Sequence, residues 1–339
     1  MTSSAETPPT ADEWCARGDD ALRAGRLNEA VRAYRRAVAL EPDSAWYLQS
    51  LGEASARKGW FLVASTLFRR ARQRDPEAVL RWFCEHTPLY DAASMVPAPI
   101  FVLGCLHSGT TILARLLANH PAMMLADARE THLFTRPPDE VNRRLAEWDQ
   151  ACVSAGRARW VEKSVDHIFM APKLRVARPQ SHFVVVVRDG RDVVASIKAR
   201  QYAFDNFDDV IACWTQAAEV ALELAEWRGV TVIRYEDLVR QPEQTLRGVC
   251  EAIGEAWTPE MLDYEQRWVA WNGVTRIETG GDERGYVGHQ HLRTWQVNQP
   301  LFDGSGRWRT DLTVDEQQRV KALAQPLLER FGYVDTDAW

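Results

Sequence analysis

Six cysteines in 339 residues are few and scattered, at Cys15, Cys84, Cys105, Cys152, Cys213 and Cys250, and no two have CxxC spacing. A structural zinc site and a disulfide framework are therefore not expected, and a reducing cytoplasm is the compartment these thiols fit best. No apolar run approaches the ~20 residues needed to cross a bilayer, so no membrane association is expected. Residues 1–10 are polar and proline-containing, without a basic stretch followed by an apolar one, which argues against a secretory signal. The net charge of −6 gives no electrostatic footprint for nucleic acid, although it leaves room for a local basic cleft. What remains is a chain with 46% hydrophobic residues, long enough for one large α/β domain and a small accessory domain.

The first pattern present is a repeat. Gly18 and Gly52, Gly25 and Gly59, Ala30 and Ala64, Tyr34 and Phe68, Ala37 and Ala71, and Pro42 and Pro76 recur at one register. Small residues let two antiparallel helices approach, an aromatic fills the groove between them, and proline ends the second helix. The segment resembles two tetratricopeptide repeats over residues 11–76, within an all-α domain expected at 11–90. Two units are fewer than the roughly three that bury a continuous face alone, so residues 77–90, with Leu80, Trp82 and Phe83, are expected to cap or dock them. A concave helical surface suits a protein partner or self-association. Residues 95–100 read as a linker.

From Ile100 the pattern changes. "IFVLGC", "HFVVVVR" and "VTVIRY" are short apolar runs of the kind that form strands buried on both faces of a parallel sheet. Helical spacing follows each, in "TTILARLLANH", "DGRDVVASIKAR" and "EDLVRQPEQTLRGVCEAIG", the last broken near Pro242. A final helix opens at Thr313 with acids in its first turn. Strands alternating with helices predict a three-layer α/β fold, a P-loop-like parallel sheet flanked by helices, over residues 98–339.

Several segments carry chemistry. Residues 104–111, GCLHSGTT, form a glycine-rich turn at a helix N-terminus, where free backbone N–H groups and the helix dipole attract phosphate. Thr110 stands where a nucleoside-triphosphatase loop requires lysine. Arg188 ends a predicted strand and Ser196 lies two helical turns on, a guanidinium and a hydroxyl suited to a phosphate monoester. Glu130, in RETHLF, is a carboxylate able to accept a proton from an attacking hydroxyl.

In order and spacing these segments resemble the sulfotransferases that use 3'-phosphoadenosine 5'-phosphosulfate (PAPS), most closely the tyrosylprotein and heparan-type branch, over about residues 100–333. The resemblance implies that His107, Ser108, Gly109, Thr110 and Thr111 hold the 5'-phosphosulfate, and that Arg188 and Ser196 bind the 3'-phosphate. It implies further cofactor positions at Arg200, Tyr235, Arg307 and Trp308, the last two placed to reach the 3'-phosphate and the adenine. Glu130 becomes the general base, and Lys163, in WVEKSVDH, the charge beside the bridging oxygen. No metal is implied. Val165 replaces the family's usual proline, and His107 replaces its usual arginine or lysine. An imidazole there can donate to the sulfuryl group, so His107 joins Glu130 and Lys163 as a catalytic candidate, and Lys163 is expected to carry most of the electrostatics. His167 reads as a helix-start packing residue.

Two other readings fit parts of the same sequence: a small-molecule P-loop kinase, and a weakly catalytic nucleotide-binding scaffold acting through its repeats. The acceptor, whether small molecule, carrier-bound intermediate or peptide, is not encoded in any motif. The stretch 268–299, with Trp271, His289, His291 and Trp295, is expected to line its side of the site.

Overall fold

The computed structural model describes residues 8–86, 96, 98–200, 204, 206–275 and 289–334. The expected linker at 95–100, the middle of the 268–299 stretch and the side chain of His289 lie partly or wholly outside them. The chain divides into two compact units, one built on residues 1–89 and the other on residues 90–339, apart from a short exchange at 135–138.

The first unit is helical: α1 (Ala11–Arg23), α2 (Leu27–Leu40), α3 (Ala45–Arg57), α4 (Phe61–Arg74) and α5 (Pro76–His86). A reciprocal Thr10–Glu13 capping box starts α1. Of the recurring glycines, Gly25 and Gly59 take left-handed backbone (φ 71° and 78°), and Gly18 and Gly52 are explained by close approach. A Cβ on Gly18 would lie 2.4 Å from the Tyr34 ring, and one on Gly52 would lie 2.5 Å from the Phe68 ring. Each glycine is thus the socket for the aromatic of the paired helix. In α5, Trp82 is buried and its indole N–H donates to the Ser50 hydroxyl at 2.8 Å, so the helix closes the second hairpin. Leu80 is exposed and takes no part in that closure.

The second unit is built on β1 (Ile100–Gly104), α6 (Thr110–Ala118), β2 (Met123–Leu125), α7 (Pro138–Ser154), β3 (Arg159–Lys163), α8 (Ala171–Ala177), β4 (His182–Val187), α9 (Gly190–Lys198), α10 (Phe207–Ala225), β5 (Val230–Arg234), α11 (Tyr235–Arg240), α12 (Pro242–Ile253), α13 (His289–Gln296), α14 (Trp308–Asp311) and α15 (Val314–Arg330). The five strands form one parallel sheet in the order β2-β3-β1-β4-β5. Ile100, Val102, Val184 and Val186 are wholly buried in a core completed by α6, α11 and α12. Burying one such side chain is worth about 1.5–3 kcal/mol, which is why the central strands carry no polar alternation.

The chain leaves β1 toward β3 and β2 but leaves β4 toward β5. Where successive connections diverge in this way, a crevice opens at the carboxyl ends of the strands. Here it opens beyond β1 and β4. Among the described residues no helix is long and apolar enough to cross a membrane.

Candidate active site

A cleft lies at that switch point, and His107, Gly109, Thr111, Arg188, Ser196 and Arg200 face it. The loop after β1 turns through left-handed backbone at His107 (φ 63°) and Gly109 (φ 97°). A side chain at Gly109 would collide with Tyr235, since its Cβ would sit 2.5 Å from that ring. Histidine tolerates such a φ only at a cost, and strain of this kind gathers at ligand-holding loops. Helix α6 begins at once and has no side-chain cap, so its first N–H groups remain available to an anion. The Ser108 hydroxyl is buried and has no hydrogen-bond partner among the described residues.

Across the cleft, Asp192, Ala195 and Ser196 share one face of α9, with Arg200 just beyond its end. Arg188 donates from Nη1 to the His107 carbonyl at 3.0 Å and from Nη2 to the Gly304 carbonyl at 2.8 Å. Its guanidinium also lies 4.5 Å from the Tyr235 ring centre. It therefore joins the loop after β1 to residues 302–308, and its buried Nε has no partner among the described residues.

Residues 302–308 form a strap pinned from below. The Asp192 carboxylate accepts from the backbone N–H of Gly306 at 2.7 Å and of Trp308 at 3.0 Å. Burial pushes the Asp192 carboxyl up, and those two donors offset this only in part. The Tyr235 hydroxyl donates to the Phe302 carbonyl at 3.1 Å. That phenol was expected to reach the cofactor; its ring faces the cleft, but its hydroxyl latches the strap. Arg307 lines the cleft, paired with Asp311 at 2.9 Å. Trp308 does not line it. Its ring is buried against the guanidinium groups of Arg191 and Arg309, with centroid distances of 4.4 and 4.5 Å. Cation–π packing of this sort makes Trp308 a floor for the strap rather than a surface for adenine.

Glu130 and Lys163 meet beyond β3. The Lys163 ammonium, buried at the strand end, donates to the Glu130 carboxylate. Burial pushes the Glu130 carboxyl up, but Lys163, Arg293 and His132 outweigh it and hold it below the usual carboxylate range. Burial also pushes the Lys163 ammonium down, and Arg293 adds to the effect. The pair is therefore an ionised carboxylate beside a lysine that yields its proton more readily than usual.

Behind the pair stands a buried network that sequence reasoning missed. Glu162 accepts from the Ser164 hydroxyl at 2.7 Å, the Thr131 hydroxyl at 3.0 Å and His167 Nδ1 at 2.8 Å. The Ser164 hydroxyl oxygen accepts from the backbone N–H of Thr131 and of His132, at 3.0 and 3.1 Å. His132 Nδ1 donates to Asp166 at 2.7 Å, and its other ring nitrogen lies 4.0 Å from the Glu130 carboxylate. The 130–132 loop is thus held by side chains from 162–167. The run of acids, Ser164 and His167 in WVEKSVDH was the available signal. His167 is buried as expected for a packing residue, but it also orders the network.

The site thus joins a glycine-rich turn at a topological switch point, a guanidinium and a serine facing it, and a carboxylate–lysine pair at the end of β3, an arrangement suited to group transfer. Residues 141–259 match the Sulfotransferase family and residues 18–59 the TPR repeat, so the chain carries sulfotransferase-family sequence with tetratricopeptide-repeat sequence on its N-terminal side, and it is a sulfotransferase enzyme. It is similar to protein-tyrosine sulfotransferase 2 of Gallus gallus, at 27% identity over 272 residues, covering 69% of each protein. It is also similar to protein-tyrosine sulfotransferase A of Caenorhabditis elegans, at 23% identity over 269 residues, covering 69% of this chain and 67% of that one. The sulfotransferase domain from the Synechococcus PCC 7002 olefin synthase overlays 70% of this chain and 95% of its own, at 17% identity and a TM-score of 0.48.

Proposed function

We propose that the chain transfers a sulfuryl group from PAPS to a hydroxyl or amine of its acceptor. The observation that carries this reading is the cradle itself: an uncapped helix N-terminus, a buried and unpartnered Ser108 hydroxyl beside it, and Arg188 and Ser196 on the facing helix. These donors suit a nucleotide with two separate phosphate positions, and a loop with Thr110 in place of the triphosphatase lysine suits a singly charged terminal group. When bound, PAPS supplies an activated sulfuryl group on a good leaving group.

The residues do the rest. His107 to Thr111 hold the 5'-side oxygens through backbone N–H groups and hydroxyls, while Arg188, Ser196, Arg200 and Arg307 face the 3'-side. Glu130, kept ionised by Lys163, accepts the acceptor's proton. Lys163 then stands free to neutralise the leaving oxygen once Glu130 has taken up that proton. The likeness to protein-tyrosine sulfotransferases supports a peptide acceptor among the alternatives, and the repeats suit a surface for the protein or carrier that presents it.

Isothermal titration with PAP, with and without Mg²⁺, tests the reading. Wild-type protein is expected to bind at micromolar Kd without metal, and Ser196→Ala to weaken binding by about tenfold, the loss of one charge-assisted hydrogen bond. Arg188→Ala is expected to weaken it more, because the strap is released as well. Mg²⁺-dependent binding of ATP with no response to PAP would replace this reading with the kinase one.

A further inference from the structure

Residues 104–111 offer a transferred group backbone N–H donors, hydroxyls and an imidazole, but no side chain of fixed charge. Lys163, on the far side, is tied to Glu130. A developing negative charge at the reacting centre would therefore lack a permanent cation from either source until a proton has moved.

A cation reaches the same cleft from elsewhere. Arg293, Gln296 and Val297 line it from one face of α13 at i, i+3 and i+4 spacing. The other face is anchored. Leu292 is buried, the Thr294 hydroxyl donates to the Trp271 carbonyl at 2.6 Å, and Trp271 is itself buried. The Asn298 amide donates to the carbonyls of Val269 and Thr294, at 3.0 and 2.8 Å, and accepts from the Val269 N–H at 2.9 Å. Rolling α13 to turn Arg293 away would break these bonds, so the guanidinium is committed to the cleft by its supports.

Its position within the cleft is also specific. Arg188, Arg200 and Arg307 belong to the α9 and strap side. Arg293 lines the cleft from α13, apart from these three, and its charge is felt at both Glu130 and Lys163.

We infer that Arg293 is the cation facing the transferred sulfuryl group, supplied from α13 because the 104–111 loop carries His107 instead of a fixed charge. The inference rests on the reading of the chain as PAPS-dependent. In the step it serves, the acceptor oxygen forms a bond to sulfur and gives its proton to the Glu130 carboxylate. The bond from sulfur to the 5'-phosphate oxygen breaks, its electron pair staying on that oxygen, which leaves PAP and the sulfated acceptor. Arg293 stabilises the non-bridging sulfuryl oxygens as that bond order changes.

The test separates the sulfuryl group from the rest of the nucleotide by titrating PAPS and PAP into the same variants. Arg293→Ala is expected to weaken PAPS about tenfold or more while PAP changes by less than about twofold. Release of labelled sulfate from PAPS with water as acceptor should fall about 10²–10³-fold, the usual cost of removing one preorganised donor. His107→Arg placed in the Arg293→Ala background should recover much of both losses, because it returns a fixed charge to the loop; this double variant also shows that the single one had not simply misfolded. Equal weakening of PAP and PAPS would make Arg293 a nucleotide-binding cation and overturn the inference, as would an Arg293→Ala protein with wild-type PAPS affinity and sulfate release. Failure of the wild-type protein to bind either nucleotide would instead remove the reading beneath it.

Discussion

The two sides of the cleft are built on different principles. On the α6 and α9 side, ligand-facing groups are held mainly by backbone: Arg188 donates to two carbonyls, Asp192 accepts from two N–H groups, and the 104–111 turn offers N–H groups of its own. On the β3 side, function is held by side chains: Glu130 rests on Lys163, and its loop rests on Glu162, Ser164, His167 and Asp166. A backbone cradle tolerates many sequences, whereas a buried network of charges and imidazoles fails when one member is removed. Anion binding should therefore be graded and robust, and proton transfer abrupt and fragile.

Replacing Glu130 is the sharpest way to separate the two sides. Glu130→Gln keeps the shape of the side chain and removes the base. Transfer to any acceptor should fall about 10²–10⁴-fold, while affinity for PAP stays within about twofold, because no α6 or α9 donor is touched. Rapid-quench measurement of a single turnover, set beside titration with PAP, reads both numbers. A comparable loss in PAP affinity would show that the two sides are not independent.

This division also explains how much could be read from the sequence. The 104–111 loop and the Arg188–Ser196 spacing were legible because each is local: an apolar strand, a turn and a helix start in order. The Gly18–Tyr34 and Gly52–Phe68 sockets were legible because they repeat. The strap was only half legible. Nothing near Trp308 signals that Arg191, more than a hundred residues away, packs on its ring, or that the Tyr235 hydroxyl is spent on Phe302. Arg293 carried no signal in a stretch recognised only by its aromatic and histidine content. The partnership of Glu162 with Thr131 and of Asp166 with His132 depends on the parallel pairing of β2 with β3, which brings the segment after β2 beside the end of β3, residues that no motif joins.

The His132–Asp166 bond is the point at which that network is open to a pH test. Burial pushes the Asp166 carboxyl up, but the bond from His132 outweighs it and leaves the carboxyl below its ordinary value. Burial likewise pushes His132 down, and Asp166 more than restores it, above the ordinary histidine value. A depressed acid stabilises the fold above its unfolded value near 3.9 and loses that contribution as pH falls through its folded value. A raised histidine stabilises it below about 6.5 and loses that contribution as pH rises through its folded value. The pair is therefore worth most between these limits. Asp166→Asn should cost about 1.5–3 kcal/mol near pH 5.5, toward the low end because His132 is one-third exposed. The difference from wild type should narrow toward pH 9. Urea unfolding of both proteins at the two pH values measures it, and a gap that widened with pH would mean that His132 is held neutral.

The smallest expected effect tests the strap. If the Tyr235 hydroxyl touches the cofactor, as the family resemblance suggested, Tyr235→Phe should lower affinity for PAP and for a fragment lacking the ribose and adenine alike. If its work is the bond to the Phe302 carbonyl, the loss is that of one neutral hydrogen bond, about 1 kcal/mol, and it should fall on the rate of nucleotide release. The ring would still cover Gly109 and still face Arg188, since phenylalanine fills the same space. Stopped-flow displacement of a fluorescent PAP analogue should then show dissociation faster by about fivefold and association nearly unchanged. Slower association with unaltered dissociation would place the phenol in the binding path itself, and the strap would lose its latch.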